Sequence, residues 1–139
     1  MVAQRPQNQP DILLFLSDQH NGLITGYAGD PWVDTPNLDQ LAKDGVVFSN
    51  TYTPSPLCVP ARMAFLSGSL PSHSGIINNG GELPGDTATW AHCLGAAGYD
   101  TVLCGRMHFL GYEQYHGFTR RILGDITPNF RGRYGSSRK

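Results

Sequence analysis

Hydrophobic positions along this chain fall into short blocks separated by proline, glycine and small polar residues. From Asp11 the sequence runs Ile12-Leu13-Leu14-Phe15-Leu16 and stops at Ser17-Asp18-Gln19-His20. Unbroken apolarity over strand length is the pattern of a strand covered on both faces in a parallel sheet, and it predicts a strand over 11–17. Polar groups at the carboxyl end of such a strand stand where open α/β sheets place ligands. Asp18 is accordingly either a functional residue or an aspartate that caps a helix or closes a turn.

From Thr35 to Gly45 the signals are helical: a Thr at the N-cap, Pro36 at the first helical position, Leu38 and Leu41 about one turn apart, and a terminal glycine. Val46 to Thr53 is rich in β-branched and aromatic residues and predicts a second strand. Pro54, Pro56 and Pro60 break regular structure and are expected to leave Cys58 in a loop, followed by a buried helix over 61–67 that Gly68 closes. The stretch 70–86 is expected to be irregular. A helix is predicted over 87–97, ended by Gly98, and a strand over 99–104, which runs into Gly105-Arg106-Met107-His108. Strands alternating with helices give a βαβ reading and an α/β sheet.

Composition narrows the picture in three ways. The 139 residues carry a formal net charge of -1, which gives no electrostatic footprint for nucleic acid or an anionic membrane. One domain is expected, with 40% hydrophobic residues for a core but 17 Gly and 10 Pro that imply many turns, so loops should carry the chemistry. The polar N-terminus lacks the basic-then-apolar order of a secretory signal and no apolar run reaches the roughly 20 residues of a membrane span, so a soluble, cytoplasmic protein is expected. Residues 1–10 are expected to be flexible and the basic, Gly/Ser-rich 131–139 frayed. Cys58, Cys93 and Cys104 are odd in number and match neither a zinc knuckle nor a disulfide framework. Reduced thiols are expected, with Cys93 and Cys104 as small core residues.

Three motifs in series carry a resemblance. The first is the opening apolar run ending in Ser17-Asp18-Gln19-His20, with Thr35-Pro36-Asn37-Leu38-Asp39-Gln40-Leu41-Ala42 after it. The second is Cys58-Val59-Pro60-Ala61-Arg62 continuing to Leu66-Ser67-Gly68. The third is Ala97-Gly98-Tyr99-Asp100-Thr101 leading to Gly105-Arg106-Met107-His108. Taken together they resemble the amino-terminal part of a type I, formylglycine-dependent sulfatase of the alkaline-phosphatase-like superfamily, over residues 11–130. Met107-His108-Phe109, Glu113 to Phe118 and Arg120 to Ile126 look nearest to choline-sulfatase-like members.

The resemblance implies a mostly parallel mixed sheet flanked by helices, of which this chain carries the N-terminal portion. It also implies that Cys58 is a precursor, oxidised by a separate maturation enzyme to formylglycine. One hydroxyl of the hydrated aldehyde attacks the sulfur of a sulfate ester and the other expels sulfate. Calcium, a hard cation in oxygen ligands, is the implied cofactor, with Asp18, Gln19 and the converted Cys58 among its ligands. Gln19 stands where many sulfatases carry a second aspartate. Arg62 matches the motif arginine that steadies the modified residue, against a bland reading as a surface salt-bridge partner. Arg106 stands in the place of the family lysine, and His108 matches the histidine that hydrogen-bonds the diol.

His20, His73, His92 and His116 are read as structural, capping or partly exposed, with His20, beside Asp18, and His116, as a substrate-side group, the exceptions to watch. The implied substrate is a small sulfate ester such as choline sulfate or an aryl sulfate. A phosphodiesterase or phosphonate monoester hydrolase with the same nucleophile is the second enzymatic reading, and an inert fragment that keeps Cys58 as a thiol is the third. A homo-oligomer is possible in the complete enzyme. The family's remaining metal ligands come from later sequence, so exposed sheet edges and apolar faces are expected here.

Overall fold

The computed structural model describes residues 9–124; the ends at 1–8 and 125–139, including the tail expected to fray, lie outside the described residues. Chain contacts divide it into two compact units, one of Pro10–Tyr52 and one built from Thr53 onward with the segment ending at Gln9.

In the unit Pro10–Tyr52 neither predicted strand forms. The stretch 11–17 takes up no ladder and its apolar side chains are exposed, Phe15 to 84%. Residues 46–53 likewise form no strand, and Phe48 is 78% exposed. A strand exists only through hydrogen bonds to a neighbour, and no described segment pairs with either run. Helix α1, Pro36–Asp44, forms where predicted, with Pro36 in its first turn and the Gly45 N–H donating to Leu41 O at 2.9 Å. Thr35 stands at the N-cap, but its hydroxyl does not cap the helix. It donates instead to Asp39 Oδ1 at 2.8 Å and accepts from the Gly26 N–H at 2.8 Å. The same Asp39 oxygen accepts from the Tyr27 N–H at 2.7 Å, so one carboxylate binds the short 3-10 turn Gly26–Ala28 to α1.

The unit from Thr53 onward holds the core. Helix α2 spans Cys58–Ser67, α3 Pro71–Ser74 and α4 Trp90–Ala96; strands β1, Val102–Cys104, and β2, Arg120–Leu123, pair in parallel. Val59, Met63 and Leu66 of α2 pack with Ile76, Leu83, Ala91, Leu103, Met107, Phe109 and Phe118. Trp90 meets Phe65 and Phe118 edge-on, with centroids 5.9 and 5.4 Å away.

Several expectations need correction in this unit. Cys58 is not in a loop: it is the first residue of α2, which begins three residues earlier than predicted. Pro60 is no obstacle there, because the first-turn N–H groups have no acceptor within the helix and a proline gives up nothing at that position. Gly68 closes α2 as expected, in the left-handed region at φ 70, and its N–H reaches Ala64 O at 2.8 Å. The stretch 70–86 is irregular apart from α3. Helix α4 and strand β1 form inside their predicted spans but are shorter.

Cys93 and Cys104 are exposed rather than core residues. On α4, Cys93 follows buried Ala91 by two positions, about 200° around the helix axis, and on β1 the alternation turns Leu103 inward and Cys104 outward. Strand β2 was not predicted; two arginines in four residues hide it from any apolar pattern. Among the described residues, no helix is long and apolar enough to cross a membrane.

Candidate active site

Helix α2 sets the geometry. Cys58 opens it half-buried, and Arg62 follows four residues later, so the two side chains leave the same face of the helix one turn apart. The Arg62 side chain turns into the protein, only 6% exposed, and Nη1 donates to the main-chain oxygen of Arg106 at 2.6 Å. Its bland reading as a surface salt-bridge partner is thereby replaced: this cation is buried and holds a backbone carbonyl.

That carbonyl belongs to the segment leaving the carboxyl end of β1. Met107 and Phe109 anchor the segment in the core, which leaves Arg106 exposed and His108 partly so. The Arg106 Nη2 lies 3.0 Å from His108 Nδ1. A guanidinium keeps its protons, so it is the donor, and a neutral His108 ring accepts at Nδ1 and carries its proton on Nε2. His108 adopts a left-handed backbone, φ 58. The contacts therefore join Arg62, Arg106 and His108, with Cys58 one helical turn from Arg62.

Asp18 and Gln19 lie in the other unit, in an exposed turn where Gln19 has φ 58. Among the described residues, no group of three or more His, Cys, Asp or Glu side chains stands close enough to hold a metal ion. Two hard oxygen donors suit calcium in kind but fall short of the six to eight oxygens it takes.

His92 does cap a helix: the Thr89 hydroxyl accepts from its N–H, and the Thr89 N–H donates to His92 Nδ1, a capping box at the start of α4. His116 is buried rather than exposed. It is 1% accessible, its ring lies 4.6 Å from that of Phe109, and among the described residues neither ring nitrogen has a hydrogen-bond partner. Burial pushes its imidazole below the ordinary range. Glu113 Oε1 accepts the His116 N–H at 2.9 Å and the Tyr115 N–H at 2.7 Å, and these bonds hold its carboxyl below the usual carboxylate range.

One residue at the site escaped the sequence reading. Asn79 Oδ1 accepts the Val59 N–H at 3.0 Å, at the start of α2. The sole sequence signal was a turn, Asn78-Asn79-Gly80-Gly81.

Known proteins bear on this arrangement. The family model described as Sulfatase matches residues 10–133. Over 120 residues the chain is 44% identical to the choline-sulfatase of Rhizobium meliloti, a match covering 86% of this chain and 23% of that protein. It is 39% identical over 111 residues to an ulvan-active sulfatase of Formosa agariphila, covering 80% of this chain and 22% of that protein. A solved structure in complex with its substrate, D-glucosamine-2-N,6-O-disulfate, superposes with a TM-score of 0.64 at 31% identity, over 69% of this chain and 19% of that one. Helices around a small parallel sheet and this likeness define part of an alkaline-phosphatase-like α/β domain. The chain belongs to the sulfatase family. It spans about a quarter of the length of the curated relatives it matches.

Proposed function

We propose that this chain is the nucleophile-bearing segment of a formylglycine-dependent sulfatase that hydrolyses a small sulfate ester, with choline sulfate the first candidate substrate. The observation that carries the reading is the pairing of Cys58 with buried Arg62 on one face of α2, and of Arg62 with the Arg106 carbonyl at 2.6 Å. This ties the helix bearing the precursor residue to the segment that carries Arg106 and His108.

In the proposed site Cys58 is converted to formylglycine, whose hydrate supplies one hydroxyl that attacks sulfur and displaces the ester's alcohol, and a second that loses its proton to expel sulfate and restore the aldehyde. Arg62 fixes where α2 stands relative to the segment after β1. The exposed Arg106 guanidinium contributes fixed positive charge toward an anionic ester, and its donation to Nδ1 selects the His108 tautomer that carries its proton on Nε2, the nitrogen proposed to exchange protons. Asp18 and Gln19 are proposed as two of the calcium ligands, in a shell that the described residues do not complete. The 44% identity to a choline-sulfatase supports the choice of substrate, and the partner required is the maturation enzyme that oxidises Cys58.

The test has two arms. The chain is co-expressed with a formylglycine-generating enzyme and the Cys58 peptide is weighed by mass spectrometry; conversion lowers its mass, and a thiol that stays intact beside a converted control sulfatase overturns the reading. In the second arm, residues 10–133 replace the matched segment of the Rhizobium meliloti choline-sulfatase, and the chimera is assayed on choline sulfate, an aryl sulfate and a phosphate diester. Preference for the diester would replace the sulfatase reading with the phosphodiesterase one.

A further inference from the structure

We infer that Asn79 is a positioning residue for the nucleophile, holding the first turn of α2 so that Cys58 stays on the helix, in line with Arg62. The functional weight of this inference rests on reading Cys58 as the nucleophile precursor; its structural content does not.

The start of α2 lacks the usual means of satisfying its free N–H groups. Its N-cap is Leu57, whose side chain accepts nothing. Pro60 brings no N–H, and the Ala61 N–H is the first to find a helical acceptor, Leu57 O at 3.1 Å. Val59 is a different matter: the residue is wholly buried, and a buried N–H left without an acceptor destabilises the fold. Asn79 Oδ1, 20 residues along the chain, accepts that N–H at 3.0 Å. A helix normally capped by its own N-cap side chain is here capped by a distant loop.

The loop is built to hold the carboxamide in place. Asn78 closes the turn twice, through Oδ1 to the Gly80 N–H at 2.8 Å and through its carbonyl to the Gly81 N–H at 3.2 Å. Ile76 on one side and Leu83 on the other are buried in the core that also contains Val59 and Met63 of α2. At Gly81 a Cβ would lie 2.7 Å from Ile76 Cγ2, so the backbone passes too close for any other residue without a shift. One core therefore places both the donor on α2 and the acceptor on the loop. Without the carboxamide the first turn frays, α2 starts further along, and Cys58 leaves the face it shares with Arg62.

The experiment uses the 139-residue chain and its other two cysteines as internal controls, since Cys93 and Cys104 are exposed on α4 and β1. Alkylation of each thiol is followed by peptide mass spectrometry in the wild type, in Asn79→Ala, which removes the acceptor, and in Asn79→Asp, which keeps an Oδ acceptor. Amide exchange at Val59 is followed alongside. In Asn79→Ala, Cys58 labelling and Val59 exchange are expected to rise about fivefold, the population change for losing one helix cap, while Cys93 and Cys104 keep their rates. Asn79→Asp is expected to behave as the wild type. Cys58 and Val59 rates in Asn79→Ala that match the wild type overturn the inference, and so does an equal rise at all three cysteines, which would make Asn79 a general stabiliser. A Cys58 that the maturation enzyme never converts, in a chain whose Asn79 variants respond as expected, sinks the sulfatase reading alone.

Discussion

Arg62 of α2 donates through Nη1 to the main-chain oxygen of Arg106 at 2.6 Å, closing a contact between residues 44 positions apart. The buried guanidinium thereby holds α2 against the segment that follows β1. Its contribution to folding can be measured by mutation.

Arg62→Met removes the donor while keeping apolar bulk, so the Arg106 carbonyl loses its partner. Urea unfolding is expected to show a loss of about 1.5–3 kcal/mol, the range for a hydrogen bond made by a charged group. A variant as stable as the wild type would show that the contact contributes nothing to folding.

Acid should destabilise this chain in two stages. Burial lowers the His116 imidazole in the fold, so its neutral form is favoured there and its share of stability is present above the ordinary value, about pH 6.5, and lost as pH falls through the lower folded value. Glu113 follows the same sign at lower pH: its ionised form is held by the His116 and Tyr115 N–H groups, and that stability is lost as pH falls below about 4.3. Glu113→Gln keeps an acceptor oxygen without the titrating proton. The acid-side slope of unfolding free energy is expected to shrink below pH 4.3 in this variant while the His116 stage remains; identical slopes in both proteins would refute the assignment.

Two glycines distinguish strain from collision. Gly68 and Gly117 both have left-handed backbones, at φ 70 and φ 95, but a Cβ at Gly68 meets nothing within 4 Å, whereas at Gly117 it would lie 2.5 Å from the His92 nitrogen. Gly68→Ala is expected to cost about 1–2 kcal/mol from conformation alone. Gly117→Ala should cost clearly more, because the cap of α4 must also move. Equal melting temperatures for the two variants would contradict this.

Thr89 serves two elements at once. Its hydroxyl donates to His116 O at 2.7 Å in the interior and accepts from the His92 N–H. Thr89→Ala is expected to lose about 2 kcal/mol, at the upper end for an N-cap, and Thr89→Ser to recover most of it. Equal losses in both variants would assign the effect to the missing methyl.

By itself the 139-residue chain is expected to hydrolyse no aryl sulfate, even after Cys58 conversion and with calcium added, since the described residues contain no metal-holding group of three. Calcium-dependent turnover by the purified chain would overturn this.

Local chemistry made part of this protein readable in advance. Helices α1, α2 and α4 are marked by Pro36, Gly68 and Gly98, whose preferences act within a few residues and need no distant partner. The order Cys58, Arg62, Arg106, His108 pointed to the family for the same reason: the residues are a string, and a string can be recognised before it folds. The runs at 11–17 and 46–53 show the limit. Their apolar pattern records what they are suited to bury against, yet a strand requires hydrogen bonds from a neighbour, and the described residues offer none, so both remain exposed.

Tertiary structure alone decided what depends on residues far apart in the chain. No pattern in Arg120 to Leu123 announces a strand; it is one because β1 lies beside it. Pro60 suggested a break, but the free donors of a helix start make it harmless, and so Cys58 stands on α2. Arg62 is buried and Asn79 caps α2 because packing of the shared core brings a carbonyl 44 residues away and a carboxamide 20 residues away within hydrogen-bonding distance. Sequence marked the residues proposed to carry the chemistry, and the fold determined which distant groups touch, since contact across that many residues is set by burial of apolar surface and not by neighbouring preferences.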